Sequence, residues 1–291
     1  MSERNRKLLA YAALYLIWGS TYLAMRIALE TLPAYELASV RFLAAGAILI
    51  AVAKARDEPW PNAREWLRSG VVGVFLLVGG NTAVLWALKS VPSGIAALLV
   101  STTPFWLALL SRTITRRSAL GIALGLLGIA ILMGFVGPGA AHAFAHAGSV
   151  NAMGALVLVC GSLSWAIGSL IQRGSKASAL MATGAPMLIG GAILFALAYA
   201  TGELHGPADG STRSWLAVLY LGMFGSLIGF TCYAWLMAHD PPARVATYAY
   251  VNPIVAVALG ALVGGETISS RVVVAGAVII AGVIVIVRAK K

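Results

Sequence analysis

The sequence predicts an all-α integral membrane protein of ten transmembrane helices, arranged as two inverted five-helix repeats. Three observations predict it. Apolar blocks of about twenty residues recur along the chain, each long enough to cross a hydrocarbon core about 30 Å thick. Lys and Arg gather in alternate links between those blocks. A set of identities also recurs at one constant spacing between the two halves.

The blocks cover residues 8–25, 37–53, 69–88, 94–111 and 120–136, then 152–171, 180–200, 215–237, 245–263 and 272–287. Segments this long and evenly apolar must satisfy their own backbone hydrogen bonds in lipid, so they are helices; barrel strands are about ten residues long and alternate in polarity. Ahead of the first block, Arg4, Arg6 and Lys7 imitate the charged start of a signal peptide. The apolar run continues to Met25 with no small-residue cleavage site, so it reads as a retained span. Residues 137–151, rich in Gly, Ala and Pro, read as a linker outside the cytoplasm between a first repeat, 1–136, and a second, 152–291. His142 and His146 in that linker read as solvated rather than as metal ligands, because Gly and Pro flank them and no third ligand is near.

With 60% hydrophobic and 11% charged residues and a mean hydropathy of +0.88, the composition excludes a soluble domain, which carries about a quarter charged residues. The net charge of +11 points to topology rather than to nucleic acid. Sixteen of the 21 Lys and Arg residues fall on one side, which places both termini in the cytoplasm of a bacterial-type inner membrane. Cys160 and Cys232 each stand inside an apolar block, so no disulfide framework or thiolate metal site is expected and both read as buried packing residues.

Gly73, Gly80, Thr82, Trp86, Pro92 and Pro104 recur as Gly222, Gly229, Thr231, Trp235, Pro241 and Pro253, all at an offset of 149. Close to that spacing, Trp18 and Arg26 match Trp165 and Arg173, and the run Gly46-Ala47-Ile48-Leu49 returns from Gly191. Five spans per repeat is an odd number, so the second repeat is upside down relative to the first. Inverted repeats of this kind let inward-open and outward-open shapes exchange, with a solute held near the midplane between the halves.

The residues WGSTY at 18–22, the PSGIAALL run from Pro92, YAYVNP ending at Pro253 and the GGE ending at Glu266 together resemble the drug/metabolite transporter superfamily, specifically its duplicated EamA-domain exporters. The resemblance covers essentially the whole chain. It implies ten helices in two inverted halves and export of amino acids or other metabolites. Where the family commonly places an acidic residue after the fourth span of each half, the second half has Glu266 and the first reads Thr113-Ile114-Thr115-Arg116.

Candidate substrate-binding residues follow from polar and aromatic groups at mid-span depth: Trp18, Tyr22, Asn81, Thr102, Thr103, Trp165, Tyr248 and Asn252. Tyr248 and Asn252 are four apart and share a helix face, with Tyr250 pointing elsewhere. Pro104 and Pro253 are expected to break their helices near mid-span, and Gly80 and Gly229 to allow close approach or leave room for a solute. Trp86 and Trp235, near span ends, read equally well as belt residues. Arg26, Arg41, Lys89 and Arg173 read as snorkelling to the interface, with gating or carboxylate steering by Arg26 or Arg41 as the alternative. Gly121 with Gly125 and Gly260 with Gly264 read as helix contacts, within a monomer or a weak homo-oligomer.

The function expected is secondary export of small neutral or zwitterionic metabolites, amino acids and especially aromatic or apolar ones, by alternating access. No Asp or Glu stands in the central part of a span, which favours a facilitator. The alternative in the same class is a proton-coupled exporter of drugs or amphipathic metabolites; from other classes, a channel or an intramembrane enzyme. The partners expected are a small solute and membrane lipid, with no cofactor, no metal and no nucleic acid.

Overall fold

The computed structural model describes residues 2–90, 96, 99–112, 114–132, 136, 152–206, 209–264 and 270–288. The linker with His142 and His146, and also Pro92, Thr113 and Glu266, lie outside the described residues.

The regular structure of the described residues is helical throughout. Helices α1 (Glu3–Ala28) and α2 (Ala34–Ala55) are followed by a long rod: α3 (Ala63–Gly73), a π-helical stretch (Val74–Asn81) and α4 (Thr82–Ala87). After it come α5 (Thr103–Leu110) and α6 (Arg116–Leu132). The second half repeats the order with α7 (Ala152–Arg173), α8 (Ala179–Ala200), and a second rod of α9 (Thr212–Tyr220), a π-helical stretch (Leu221–Phe230) and α10 (Thr231–His239). The short α11 (Pro242–Val245), α12 (Tyr248–Gly264) and α13 (Ser270–Arg288) complete it.

Six described stretches are long and apolar enough to cross a membrane: Glu3–Ala28, Ala34–Ala55, Ala63–Ala87, Leu156–Arg173, Ala179–Ala200 and Thr212–His239. Helices α5, α6, α12 and α13 occupy the other four blocks, adjoining or close to residues outside the described set. Several helices begin earlier than their apolar blocks because polar residues cap them there. The side chains of Ser2, Asn62, Ser178 and Ser211 each accept a hydrogen bond from the backbone N–H three residues on, satisfying a donor the first turn leaves free.

Packing exchanges elements between the halves. Helix α1 lies against the second rod and α12, and α7 lies in the matching way against the first rod and α5. Helix α2 packs on α8, and α6 on α13. Each contact therefore has a counterpart when the halves are interchanged, as a pseudo-twofold arrangement requires.

The α2/α8 crossing shows what the recurring glycines do. A Cβ on Gly46 would stand 2.7 Å from the backbone N of Leu188, and one on Gly191 would stand 2.9 Å from the backbone N of Leu43. These are equivalent contacts seen from the two halves. Gly121 and Gly128 of α6 meet Ile286 and Ile279 of α13 in the same close manner, whereas Gly125 faces the ring of Tyr250.

Prolines inside helices leave a carbonyl four residues back without its usual donor, and here side chains fill that role. Pro186 lies within α8, and the Ala182 carbonyl accepts from Gln172 Nε2 at 2.9 Å. Pro253 lies within α12, and the Ala249 carbonyl accepts from Ser101 Oγ at 3.0 Å. Pro104 follows a break in its span, where residues 99–100 are helical, Ser101 and Thr102 form a turn and the helix resumes at Thr103. It stands in the first turn of α5, where its missing N–H costs nothing, and Thr103 Oγ1 donates to the Val100 carbonyl at 2.7 Å. Cys160 departs from expectation: it is exposed on the outer face of α7, and Cys232 is half-buried.

Replacing Gly46 with Leu forces a side chain into the backbone of α8, an overpacking error that costs about 1–3 kcal/mol. The variant should melt at a clearly lower temperature than wild type in detergent, while Ala44→Leu, at an exposed position on the same helix, should not.

Candidate functional site

The site grows from one face of α1 and one face of α7. Leu14, Trp18, Thr21 and Met25 recur at helical spacing and are all buried; Leu158, Ser162 and Ser169 do the same around the half-buried Trp165. The two faces meet through their indoles. Trp18 and Trp165 have ring centroids 5.5 Å apart at 81°, edge to face. Phe230, Tyr233 and Tyr248 surround Trp18 at 5.2, 5.1 and 4.8 Å. Aromatic pairs of this geometry contribute about 0.5–1.5 kcal/mol each beyond area burial.

Each indole fills a hole left by a glycine in the opposite half. A Cβ on Gly80 would stand 2.9 Å from Trp165 Cε3, and one on Gly229 would collide with Trp18 Nε1. Both glycines belong to the π-helical stretches, which occupy equivalent places in the two rods. A π-turn carries one residue more than an α-turn and disturbs the i to i−4 ladder, leaving carbonyls free to accept from the other half. Trp18 Nε1 donates to the Gly225 carbonyl at 3.1 Å, and Ser164 Oγ donates to the Phe75 carbonyl at 2.8 Å. A further network ties Trp165 down: its Nε1 donates to Tyr233 Oη at 3.2 Å, and Ser169 Oγ lies 2.5 Å from the same oxygen.

Around these rings lies a cavity in which the centres of water-sized molecules have about 80 Å³, several times the ~10–15 Å³ one water requires. Of the residues expected to bind solute, Trp18, Tyr22, Asn81, Thr103, Trp165, Tyr248 and Asn252 line it, as does Gly80. Thr102, Pro104, Pro253 and Gly229 are not part of the lining. Thr102 is turned to the Leu99 carbonyl, and Gly229 is covered by the Trp18 indole. The carbonyls behind both prolines are occupied by Ser101 and Thr103, so they do not supply the cavity. Tyr250 is buried away from it, among Ala108, Ile122 and Ile279. Trp86 is partly exposed, as a belt residue would be, and Trp235 stacks on His239 at 4.4 Å.

Arg41 corrects the expectation that it snorkels. It is 4% exposed and lines the cavity, with Nη2 donating to Asn81 Oδ1 at 3.3 Å and its guanidinium 4.2 Å over the Phe42 ring. The reason is the true start of α2. The helix begins at Ala34 behind the N-capping Pro33, which sets Arg41 two turns in and turns it toward the protein. The signal was present as Leu32-Pro33-Ala34 with Glu36 in the first turn, a helix-start pattern that the apolar block beginning at residue 37 obscured. Thr21, Ser162 and Phe230 also line the cavity without having stood out in the sequence, because small hydroxyls and a lone Phe in apolar runs carry no distinct pattern.

Comparison with known proteins places this geometry. The model of the EamA-like transporter family matches residues 6–134 and again 152–288. The chain belongs to the EamA-like transporter family. It is 39% identical over 290 residues to the inner membrane transporter YedA of Escherichia coli K12, covering 97% of this chain and 90% of that protein. It is 24% identical to a Salmonella typhimurium protein described as a "probable amino-acid metabolite efflux pump", over 91% of this chain and 89% of that one. A crystal structure covering 98% of both chains superposes with a TM-score of 0.76 at 22% identity, which shows the shared fold. This EamA-like chain is thus a multi-pass transporter of the inner membrane.

Polar contacts tie elements of the two halves together at both ends of the EamA-like fold. At the cytoplasmic ends of α1 and the second rod, Lys7 Nζ lies 3.0 Å from Asp240 Oδ1, Tyr11 Oη donates to Asp240 Oδ2 at 2.9 Å, and Tyr15 Oη lies 2.5 Å from Thr247 Oγ1. On the opposite side, Glu203 accepts from Lys89 and from the Tyr35 N–H, Arg213 pairs with Glu30, and Glu36 accepts from the N–H groups of His205 and Gly206. The contacts of Glu203 with Tyr35 and of Glu36 with His205 and Gly206 dock the link after α8 onto the start of α2.

Asp240→Asn should loosen the cytoplasmic strap, since one carboxylate holds both Lys7 and Tyr11. In a background carrying Cys160→Ser, Cys232→Ser and Ser162→Cys, it should raise labelling by a thiol reagent added from the cytoplasm about tenfold, the equivalent of ~1.4 kcal/mol. Unchanged labelling would show that the strap does not hold the cavity shut.

Proposed function

We propose that this transporter exports small neutral or zwitterionic metabolites, first among them amino acids with apolar or aromatic side chains. The halves 1–136 and 152–291, joined by residues 137–151, rock about the Trp18 and Trp165 contact to expose the cavity to each side in turn. The observation that carries this reading is the aromatic cavity shared by both halves at mid-helix depth. It offers indole and phenol faces, amides and hydroxyls, which suit a solute with an apolar body and a few polar groups. The name of the Salmonella relative points the same way. Among the described residues the cavity lining has no Asp, Glu or His to carry a proton with the solute, which supports facilitated diffusion.

Purified protein in liposomes loaded with labelled amino acids tests this directly. Downhill efflux should proceed without a pH gradient; efflux that stalls until a proton gradient is imposed overturns the facilitated mechanism. Ala in place of Asn81, Trp165 or Asn252 should slow efflux about tenfold or more, the scale of a binding hot spot. Trp60→Ala, at a site 58% exposed in a cytoplasmic link, should leave it within about twofold of wild type.

A further inference from the structure

We propose that Arg41 is the anchor for a substrate carboxylate and Asn252 the acceptor for its ammonium group, so that the cavity selects zwitterions rather than neutral solutes at large. The inference rests on the export reading above and narrows it. Arg41 is a permanently charged group nearly cut off from solvent. Among the described residues no carboxylate stands within ion-pair distance of it, and its Nε has no hydrogen-bond partner although it is buried. A lone buried charge is strongly unfavourable unless something compensates it. The Phe42 face and the Asn81 oxygen compensate in part, and neither carries a negative charge.

What completes the site is an anion, and the donor set defines which. A guanidinium offers parallel N–H groups that match the two oxygens of a carboxylate. Among the described residues the cavity lining has no Lys or His and no second Arg, so it balances one negative charge; a phosphate dianion would go half-neutralised. The second observation is independent of the first. Asn252 Oδ1 is buried with no donor, and among the described residues Asn252 is the other lining residue with an orphaned polar atom. An orphaned cationic donor on α2 and an orphaned acceptor on α12 are the complement of a solute with a carboxylate and an ammonium. The two indoles in the same lining add faces on which an ammonium or an apolar side chain can rest.

Matched probes separate the two groups. Counterflow of labelled L-phenylalanine in proteoliposomes is competed with unlabelled L-phenylalanine, with its carboxamide, which keeps the ammonium, and with 3-phenylpropanoate, which keeps the carboxylate. The carboxamide should compete at least about tenfold less well than the amino acid, the loss expected for a charge-assisted hydrogen-bonded contact. Arg41→Gln should erase that difference, Arg41→Lys should keep part of it, and Asn252→Leu should bring the amino acid down toward 3-phenylpropanoate. Quenching of tryptophan fluorescence by the same probes in detergent reads binding without transport, so a variant that no longer cycles is still informative. A wild-type protein that takes the carboxamide as readily as the amino acid overturns the anchor and leaves the export reading intact, as does an Arg41→Gln variant that keeps the preference. Failure of wild type to move any amino acid overturns the export reading and the anchor with it.

Discussion

Two indoles need two missing side chains. Trp18 and Trp165 can meet at the centre only because Gly80 and Gly229 leave space for them in the opposite half. From that reciprocal fit the rest follows: α1 is drawn against the second rod, α7 against the first, and the cavity opens where the four elements diverge. In a membrane, where burying apolar surface against lipid brings little gain, close backbone approach and a few directed hydrogen bonds do the work of association. The glycines at 46 and 191 act likewise where α2 crosses α8.

The π-helical stretches make the same point at the level of the backbone. Both rods depart from α geometry at repeat-equivalent places, and both use the departure to present a carbonyl to the other half, one to Trp18 and one to Ser164. Contacts formed in this way are few, directional and duplicated by symmetry, which suits an interface between parts that exchange positions.

Much of this was legible in the sequence, for physical reasons. Length and apolarity report membrane crossing because the bilayer imposes both, and the offset of 149 reports symmetry because two halves with one packing solution keep the same glycines. The indole and amide part of the cavity lining was also legible, since such a group at mid-span depth has few other places to go. The misses were local. Apolar windows cannot see that Pro33 and Ser2 start helices ahead of the greasy blocks, and that error hid Arg41. Proline announces a lost hydrogen bond, but only the folded chain shows that Gln172, Ser101 and Thr103 restore the bonding. The π-turns left a trace, the clustered glycines at 79–80 and 222–229, which reads equally as ordinary helix packing.

The exchange of elements between halves also governs how the molecule is made. Tyr15 reaches Thr247 across 232 positions of chain, and Lys7 reaches the carbonyl of His239 across the same separation. The first helix to emerge from the ribosome must therefore wait in the bilayer, with its tryptophan seat unbuilt, until the last third of the polypeptide has been synthesised. These contacts are consequently among the last that can form, and such long-range closure is intrinsically slow.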